Sequence, residues 1–277
     1  MENSVSCADF LYRLCLTFCG HNLLRYKENN NFRMNRTAQY TFTILVPFYN
    51  EEDNIYNLEK AFAKYLENAH FKDTCVLFIN DGSKDNGLKL VEEICGRNKD
   101  FYYISLVKNT GLSGAIKAGF DNCHSKYCGY IDADLQTTPE DFNLLLPYVE
   151  EYPLVMGIRA NRKDSGFKNL QSKIANNFRR FMTKDEAIDT GCPLKVFQTA
   201  YAKRFPMFTG MHRFFPALIT LQDGGKMKQI PVRHFPRTAG VSKYNLWNRL
   251  ISPFKDCFAF RWMKHRYINY TVGENNI

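Results

Sequence analysis

Apolar and polar positions alternate along the first half of the chain in blocks that predict strands and helices in turn. Four nearly continuous apolar runs are typical of strands buried on both faces of a sheet. The predicted strands are residues 41–49, 75–80, 101–107 and 127–135. Three intervening segments place apolar residues at helical spacing, at residues 50–69, 88–96 and 110–123. This alternation predicts an α/β fold with a mostly parallel central sheet flanked by helices.

The same patterning divides the chain into three predicted parts, which are residues 1–40, 41–240 and 241–277. The first combines a short stretch of helical spacing with an Asn-rich linker, and the second holds the alternating strands and helices. The third mixes aromatic and cationic residues at helical spacing. It is either a helix lying in a membrane interface or an ordinary amphipathic helix packed on the core. No apolar run is long enough for a membrane-spanning helix, and we expect none.

Composition and the absence of certain motifs limit the ligands and binding partners that the protein is expected to have. The 277 residues are 45 % hydrophobic and carry a formal net charge of +9, which favours anionic partners. No helix-turn-helix, zinc or RNA-recognition pattern is present, so we expect no nucleic-acid partner. The nine cysteines show no C-x-x-C pair and are expected to be reduced thiols of a cytosolic protein. A dinucleotide-binding G-x-G-x-x-G does not follow the first predicted strand, which disfavours a dehydrogenase.

Polar residues follow each of the four predicted strands. They are Asn50 and Glu51, Asp81, Asn109, and the pair Asp132 and Asp134. In open α/β sheets, ligands bind beyond the carboxyl ends of the strands. We therefore expect these side chains to converge on one crevice.

The fourth strand ends in two carboxylates, in the sequence GYIDADLQ at residues 129–136. Asp132 and Asp134 are expected at the end of the strand, where alternation places them and Gln136 on one face. Two close carboxylates repel each other unless a cation lies beside them, and Mg²⁺ or Mn²⁺ commonly joins such carboxylates to substrate phosphates. The stretch is then half of a metal site. The alternative is a capped turn with solvated acids.

Three motifs resemble those of family 2 glycosyltransferases, in order and in spacing. They are VPFYNEE at residues 46–52, INDGS at 79–83 and DADLQ at 132–136. The resemblance runs from about residue 41 to about residue 265. It implies the GT-A fold, that of the nucleotide-diphospho-sugar transferases, and hexosyltransferase activity.

Motifs in the second half narrow the resemblance to the polyprenyl-phosphate glycosyltransferases. They are DTGCPLKVF at residues 189–197, FTGMHRFFPAL at 208–218 and HFPRTAGVSKYNLWNR at 234–249. The family includes dolichyl-phosphate mannose synthase and the undecaprenyl-phosphate formamido-arabinose transferase, and the last two segments look most like the latter. Resemblance to this family implies that a sugar is transferred to polyprenyl phosphate with inversion of its anomeric configuration. The resemblance does not identify the sugar, and relatives of this type favour a UDP-sugar donor over a GDP-sugar.

The resemblance also implies roles for residues of the donor side. Asp134 and Gln136 would hold Mg²⁺ or Mn²⁺ on the diphosphate, with Asp132 close to the metal or the sugar. The cation would neutralise charge on the departing nucleoside diphosphate, which makes Asp134 catalytic. The residues implied to bind the donor nucleoside are Pro47, Tyr49, Glu51 and Asp81. For Asp81 the alternative is turn chemistry, because Asp-Gly is a common turn pair.

A lipid-phosphate acceptor needs cations and a hydroxyl donor. The residues that match the family's acceptor and phosphate contacts are Arg159, Ser172, Lys173, Arg237 and Lys243. The alternative for each of the five is a solvated basic surface. His212 and His234 have no His or Cys partner at metal-ligand spacing, and a structural or acceptor-loop role is expected instead.

Asp189 is the matched acid of the second-half motif and the second catalytic candidate. A phosphate monoester is already ionised and needs no base, whereas a glycan hydroxyl, in polysaccharide or surface-glycan synthesis, would need Asp189 as its base. A lipid-phosphate acceptor also predicts a cytoplasmic protein bound peripherally at the inner face of the plasma membrane. The sequence leaves open whether the chain forms homo-oligomers.

Overall fold

The computed structural model describes residues 36–159, 177–235, 246–270 and 273–274. Within these residues seven strands form one sheet, in the order β3-β2-β1-β4-β6-β5-β7. The strands are β1 (Phe42–Phe48), β2 (Thr74–Asn80), β3 (Phe101–Ser105), β4 (Tyr127–Tyr130), β5 (Leu154–Arg159), β6 (Lys195–Gln198) and β7 (Met227–Val232).

The first four strands are parallel to one another. β1 pairs with β2 on one side and with β4 on the other, and β3 extends the sheet beyond β2. Every residue of β1 and β2 is buried, as their continuous apolar character predicted. The α/β class with a mostly parallel sheet is confirmed.

β6 reverses the sheet direction. It is antiparallel to both of its neighbours, β4 and β5, while β7 is parallel to β5. The carboxyl ends of β1 to β5 and of β7 therefore lie at one edge of the sheet, together with the amino end of β6. The reversal brings Lys195, the first residue of β6, to the edge at which polar residues were expected.

Helices cover both faces of the sheet. The longer ones are α1 (Ile55–Glu67), α2 (Gly87–Arg97) and α3 (Gly111–Asn122), and the shorter ones are α4 (Phe142–Leu145), α5 (Thr199–Lys203) and α6 (Phe215–Ile219). The last, α7 (Leu246–Lys264), contains Pro253. Residues 177–183 are also helical.

Two apolar clusters result from strand alternation. On one face, Ile44 and Val46 of β1 pack with Leu58 and Phe62 of α1. On the other face, Leu45 lies in a cluster with residues of α3 and α6. The sheet is thus buried on both sides, which is why its central strands lack a polar face.

Several predicted boundaries differ from the structure. β4 ends at Tyr130, so the two aspartates lie in a turn and not on the strand as expected. Residues Met211–Phe214 form a 3₁₀ turn that is followed by α6. The stretch of helical spacing predicted in the first part of the chain lies outside the described residues.

No helix in the described part of the chain is both long enough and apolar enough to cross a membrane.

A glycine allows two crossover loops to approach each other at the sheet edge. Gly82 follows β2 with a φ of +69°, and a Cβ there would lie 2.6 Å from the backbone carbon of Lys108. The same approach lets the side-chain amide of Asn109 donate to the carbonyl of Asp81 at 3.1 Å. A side chain at position 82 would separate the loops that follow β2 and β3.

We predict that Gly82→Ala lowers the free energy of unfolding by about 1–3 kcal/mol, because it adds both positive-φ strain and a backbone clash. The measurement is urea denaturation followed by circular dichroism. Gly96→Ala is the matched control, because a Cβ at Gly96 meets nothing within 4 Å. That helix substitution should stabilise the protein by about 0.4–1 kcal/mol. Equal changes in the free energy of unfolding for the two variants would contradict the inference that position 82 requires a glycine.

Candidate active site

The polar residues expected to converge do lie at one edge of the sheet. Residues after β1, β2 and β4 reach it because these strands are parallel and in register. Arg159 reaches it at the end of β5, and Lys195 at the start of β6. The topology therefore assembles acids and cations from segments that are far apart in sequence.

The loops after β1 and β2 are joined by reciprocal hydrogen bonds. The backbone N–H of Asn50 donates to Ser83 Oγ at 3.0 Å, and the N–H of Lys84 donates to Asn50 Oδ1 at 2.8 Å. The N–H of Glu52 donates to Asp85 Oδ2 at 3.0 Å. Asn50 has a positive φ of 50°, which suits Asn better than most residues. Sequence reasoning identified Asn50 only as a polar strand end and missed Ser83 and Asp85.

The residues expected to bind the nucleoside lie on or beside these loops. Pro47 is buried in β1 opposite Ile79, and Tyr49 is partly buried immediately after the strand. Glu51 Oε2 accepts a hydrogen bond from the side chain of Asn54 at 2.9 Å. The structure brings them together at the first strand's end, and their contact with a nucleoside stays a prediction.

Asp81 has a structural role that differs from the Asp-Gly turn chemistry offered as the alternative. Its Oδ1 accepts hydrogen bonds from the backbone N–H of Thr110 at 2.7 Å and from the Thr110 hydroxyl at 2.8 Å. Thr110 is the residue before α3, so this buried carboxylate fixes the start of the helix. Donor binding by Asp81 is neither supported nor opposed by these contacts.

The turn after β4, residues 132–136, is named the metal turn after the cation that the sequence predicts there. Leu135 has a φ of +54°, which breaks the strand geometry. The Tyr130 hydroxyl donates to Asp132 Oδ1, and the N–H of Gln136 donates to Asp134 Oδ1 at 3.1 Å. Asp134 is 8 % exposed, whereas Asp132 is partly exposed. Both acids lie in this turn and not on the strand whose alternation was expected to align them.

The donors of the metal turn suit a hard divalent cation. Two carboxylates and one amide provide only oxygen ligands, as Mg²⁺ and Mn²⁺ prefer. Among the described residues, no three His, Cys, Asp or Glu side chains cluster closely enough to hold a metal by themselves. A few protein ligands fit a cation whose remaining ligands come from substrate phosphates and water.

The segment after β7 is tied to the metal turn. The N–H of Phe235 donates to the carbonyl of Gln136 at 2.8 Å. Arg233 pairs with the buried Asp141, with Nε to Oδ1 at 2.7 Å. Sequence reasoning missed this pair. The contacts hold Arg233 and Phe235, which follow β7, beside the segment of residues 136–141.

Arg159 and Asp189 form a two-pronged ion pair. Arg159 Nε and Nη2 each donate to one carboxylate oxygen at 2.8 Å, and the N–H of Arg159 adds a third bond at 3.2 Å. The side chains of Arg159 and Asp189 are 15 % and 14 % exposed. Burial by itself would raise the pKa of Asp189, but the hydrogen bonds and charge of Arg159 hold that pKa below its usual value. Asp189 is therefore an ionised anchor for Arg159.

A cavity of about 270 Å³ adjoins the metal turn. Its lining includes Asp132, Thr190, Lys195, His212 and Arg213. Burial lowers the pKa of Lys195, although the neighbouring carboxylates of Asp189 and Asp132 act in the opposite direction. The cavity is thus bounded by one acid and two basic side chains.

His212 presents a defined tautomer at this cavity. Ser113 Oγ accepts hydrogen bonds from the N–H groups of Gly210 at 3.1 Å and His212 at 3.4 Å. Its hydroxyl therefore donates to His212 Nδ1 at 2.7 Å, which leaves the ring proton on Nε2. Burial and the charges of Arg213 and Lys195 lower the pKa of His212 to about 3, so the ring is neutral at pH 7.

Sequence reasoning missed Ser113 and Lys195 as site residues. Lys195 did leave a signal, because a charged residue begins an otherwise apolar strand. Four predicted acceptor residues lie outside the described residues, namely Ser172, Lys173, Arg237 and Lys243.

Comparison with known proteins identifies the family. The family described as Glycosyl transferase family 2 matches residues 43–207. Dodecaprenyl-phosphate galacturonate synthase from Rhizobium johnstonii is 30 % identical over 210 residues, which cover 74 % of this chain and 62 % of that protein. The chain thus spans less than two thirds of the length of this relative. The resemblance to polyprenyl-phosphate glycosyltransferases is confirmed.

Solved structures show the fold. Glucosyl-3-phosphoglycerate synthase from Mycobacterium tuberculosis, in complex with Mn²⁺, UDP-glucose and phosphoglyceric acid, superposes with a TM-score of 0.61 at 13 % identity. That match covers 82 % of this chain and 80 % of the other. Mannosyl-3-phosphoglycerate synthase from Rubrobacter xylanophilus gives 0.59 at 14 % identity, over 87 % and 80 % of the chains. The fold is the GT-A fold that the motifs implied, and the chain belongs to glycosyl transferase family 2.

Proposed function

We propose that this protein is a metal-dependent, inverting glycosyltransferase that moves a sugar from a nucleotide sugar to a polyprenyl phosphate. The observation that carries the proposal is the position of the metal turn. Its two acids lie at the carboxyl edge of the sheet, beside a cavity bounded by Lys195 and Arg213. A diphosphate held at the turn would direct its sugar towards that cavity.

Binding of a nucleotide-sugar donor is supported by the oxygen ligands of the metal turn and by similarity to a solved structure. Asp134 and Gln136 would hold the cation on the diphosphate, with Asp132 beside it. When bound, Mg²⁺ or Mn²⁺ would neutralise the negative charge that develops on the leaving nucleoside diphosphate. The solved relative from M. tuberculosis contains Mn²⁺ and UDP-glucose. We extend that class of donor to this chain and favour a UDP-sugar.

A phosphate acceptor is supported by the ionised, hydrogen-bonded state of the Asp189 carboxylate. An ionised carboxylate already held by three hydrogen bonds from Arg159 is a poor proton acceptor. A phosphate monoester needs no base, because its oxygen is already anionic. The relative from R. johnstonii is named for dodecaprenyl phosphate, a lipid phosphate of this class.

The reaction follows as a single displacement. An oxygen of the acceptor phosphate attacks the anomeric carbon and forms the new C–O bond. The bond between that carbon and the diphosphate oxygen breaks, and both electrons leave with the nucleoside diphosphate. Attack opposite to the leaving group inverts the anomeric configuration. This chain orients the leaving group at the metal turn and supplies cations on the acceptor side.

Contact with a membrane surface is supported by α7. Its Cys257 and Phe260 are buried in the core, while Phe254, Phe258 and Trp262 are half or more exposed, at 50 %, 52 % and 65 %. These three aromatics recur every four residues and form a stripe along one side of the helix. Exposed cations accompany the stripe, at Lys255, Arg261 and Lys264. Such a surface fits the headgroup region of an anionic bilayer. Placement at the inner face of the plasma membrane and homo-oligomer formation stay predictions.

The first test is transfer of label to lipid. Purified protein is incubated with Mg²⁺ or Mn²⁺, radiolabelled nucleotide sugars and undecaprenyl phosphate, and label in the organic phase is counted. We expect label that depends on both metal and lipid. Asp134→Asn should lower the rate about a hundredfold or more, because a lost metal ligand removes several kcal/mol of charge stabilisation. Asp121→Asn, at an exposed pair with Lys117, is the control and should leave the rate unchanged. An active, folded Asp134→Asn protein would contradict the metal assignment.

Asp189→Asn distinguishes the two acceptor classes. With a phosphate acceptor, we expect a loss of about tenfold or less, from looser positioning of Arg159. Arg159→Lys, which removes the paired geometry but not the charge, should cause a similar loss. With a glycan hydroxyl acceptor, loss of the base would lower kcat about 10²–10⁴-fold for Asp189→Asn alone. The measurement is kcat with each acceptor over a range of pH.

Membrane contact is tested by vesicle flotation. We expect the protein to bind vesicles of phosphatidylglycerol and phosphatidylethanolamine, and to bind more weakly as salt is raised. The double variant Phe258→Ser, Trp262→Ser should lower binding about tenfold or more, because it removes two exposed aromatic contacts. Leu144→Ser changes an exposed apolar residue elsewhere and is the control. Equal binding by all three proteins would show that α7 does not face the membrane.

A further inference from the structure

We propose that the cavity beside the metal turn binds the carboxylate of an acidic sugar, so that the donor is a nucleotide-linked uronic acid. This inference rests on the proposed function, because it assigns the class of sugar to the same site.

Lys195 is the first observation. Its side chain is buried, and its Nζ donates to the carbonyls of Thr190, at 3.4 Å, and Cys192. An ammonium has three N–H donors, so one remains for a further acceptor. No carboxylate of the described residues lies within ion-pair distance of Lys195. A buried cation without such a partner favours an anionic ligand.

The second observation is the convergence of Arg213 and His212 on the same cavity. Arg213 lines it and is held loosely by Asp256, with Nη1 4.0 Å from Oδ2. His212 lies close enough to both Arg213 and Lys195 for their charges to depress its pKa. Because Ser113 takes Nδ1, the neutral ring offers only an N–H donor at Nε2. Two cations and a neutral donor form a set that matches the two oxygens of a carboxylate.

The third observation is position. Asp132 belongs to the metal turn and also lines the cavity. In the proposed complex the metal turn holds the diphosphate, so the group attached to the diphosphate lies next to Asp132. That group is the transferred sugar. A cavity of about 270 Å³ is slightly smaller than the 300–1,000 Å³ typical of drug-sized ligands, which suits a single sugar ring.

Matched donor pairs test the proposal. The pairs are UDP-galacturonic acid with UDP-galactose, UDP-glucuronic acid with UDP-glucose, and GDP-mannuronic acid with GDP-mannose. Each pair differs only at C6, so the comparison does not depend on the base. Binding is measured by calorimetry with metal present and no lipid, and transfer is measured separately with undecaprenyl phosphate.

We expect the protein to prefer the acid of at least one pair about tenfold or more, in both Kd and kcat/KM. Lys195→Met should bring the ratio of acidic to neutral donor towards one, because it weakens binding of the acidic donor and leaves binding of the neutral donor unchanged. Arg213→Gln should do the same more mildly, and it serves if Lys195→Met does not fold. Lys126→Met, at an exposed pair with Glu150 on the opposite end of β4, is the control and should keep the preference.

Three outcomes would overturn the inference. In the first, neutral sugars bind and react as well as acids. In the second, Lys195→Met slows every donor equally, which would make Lys195 structural. In the third, it raises only the KM for the lipid, which would assign the cation to the acceptor phosphate. Preferential binding of an acid without transfer to lipid would support the cavity assignment and contradict the proposed acceptor. The two proposals can therefore fail separately.

Discussion

The antiparallel pairing of β4 with β6 is the contact on which the site depends. It sets Tyr130 opposite Lys195 at the sheet edge. Tyr130 then donates its hydroxyl to Asp132, while the Lys195 ammonium lies 5.8 Å from the centre of the Tyr130 ring. One register therefore fixes both the acid of the metal turn and the buried cation of the cavity. A shift of β6 by one residue would turn the Lys195 side chain to the opposite face of the sheet, while β1 would still hold Tyr130 in place.

The parallel half of the fold could be predicted because its signals are local. Each strand is a continuous apolar run, and each polar residue that follows a strand marks the carboxyl edge. The site residues that were missed come together only through tertiary structure. Ser113 and His212 are far apart in sequence, and Lys195 reaches the site because β6 reverses direction. A period of two or 3.6 residues contains no information about such reversals.

The metal turn differs from the local geometry on which the metal-site prediction was based. Alternation along a strand was expected to place Asp132 and Asp134 together. In the structure the strand ends at Tyr130, and a positive φ at Leu135 turns the chain so that Gln136 donates back to Asp134. Apolar residues at positions 131 and 133 extended the predicted strand, and both are buried in the core cluster although they lie beyond the strand. Burial alone therefore does not distinguish a strand end from a turn packed against the core.

Charge at the edge of the sheet is arranged in two different ways. Arg159 and Asp189 neutralise each other through short, paired hydrogen bonds. Lys195 and Asp132 are separated across a cavity, and burial weakens the charged form of the lysine. Ligand binding can therefore improve the electrostatics at the cavity more than at the ion pair. A cation beside Asp132 and an anion beside Lys195 would each lower the free energy, and a metal-bound diphosphate attached to an acidic sugar supplies both in one molecule.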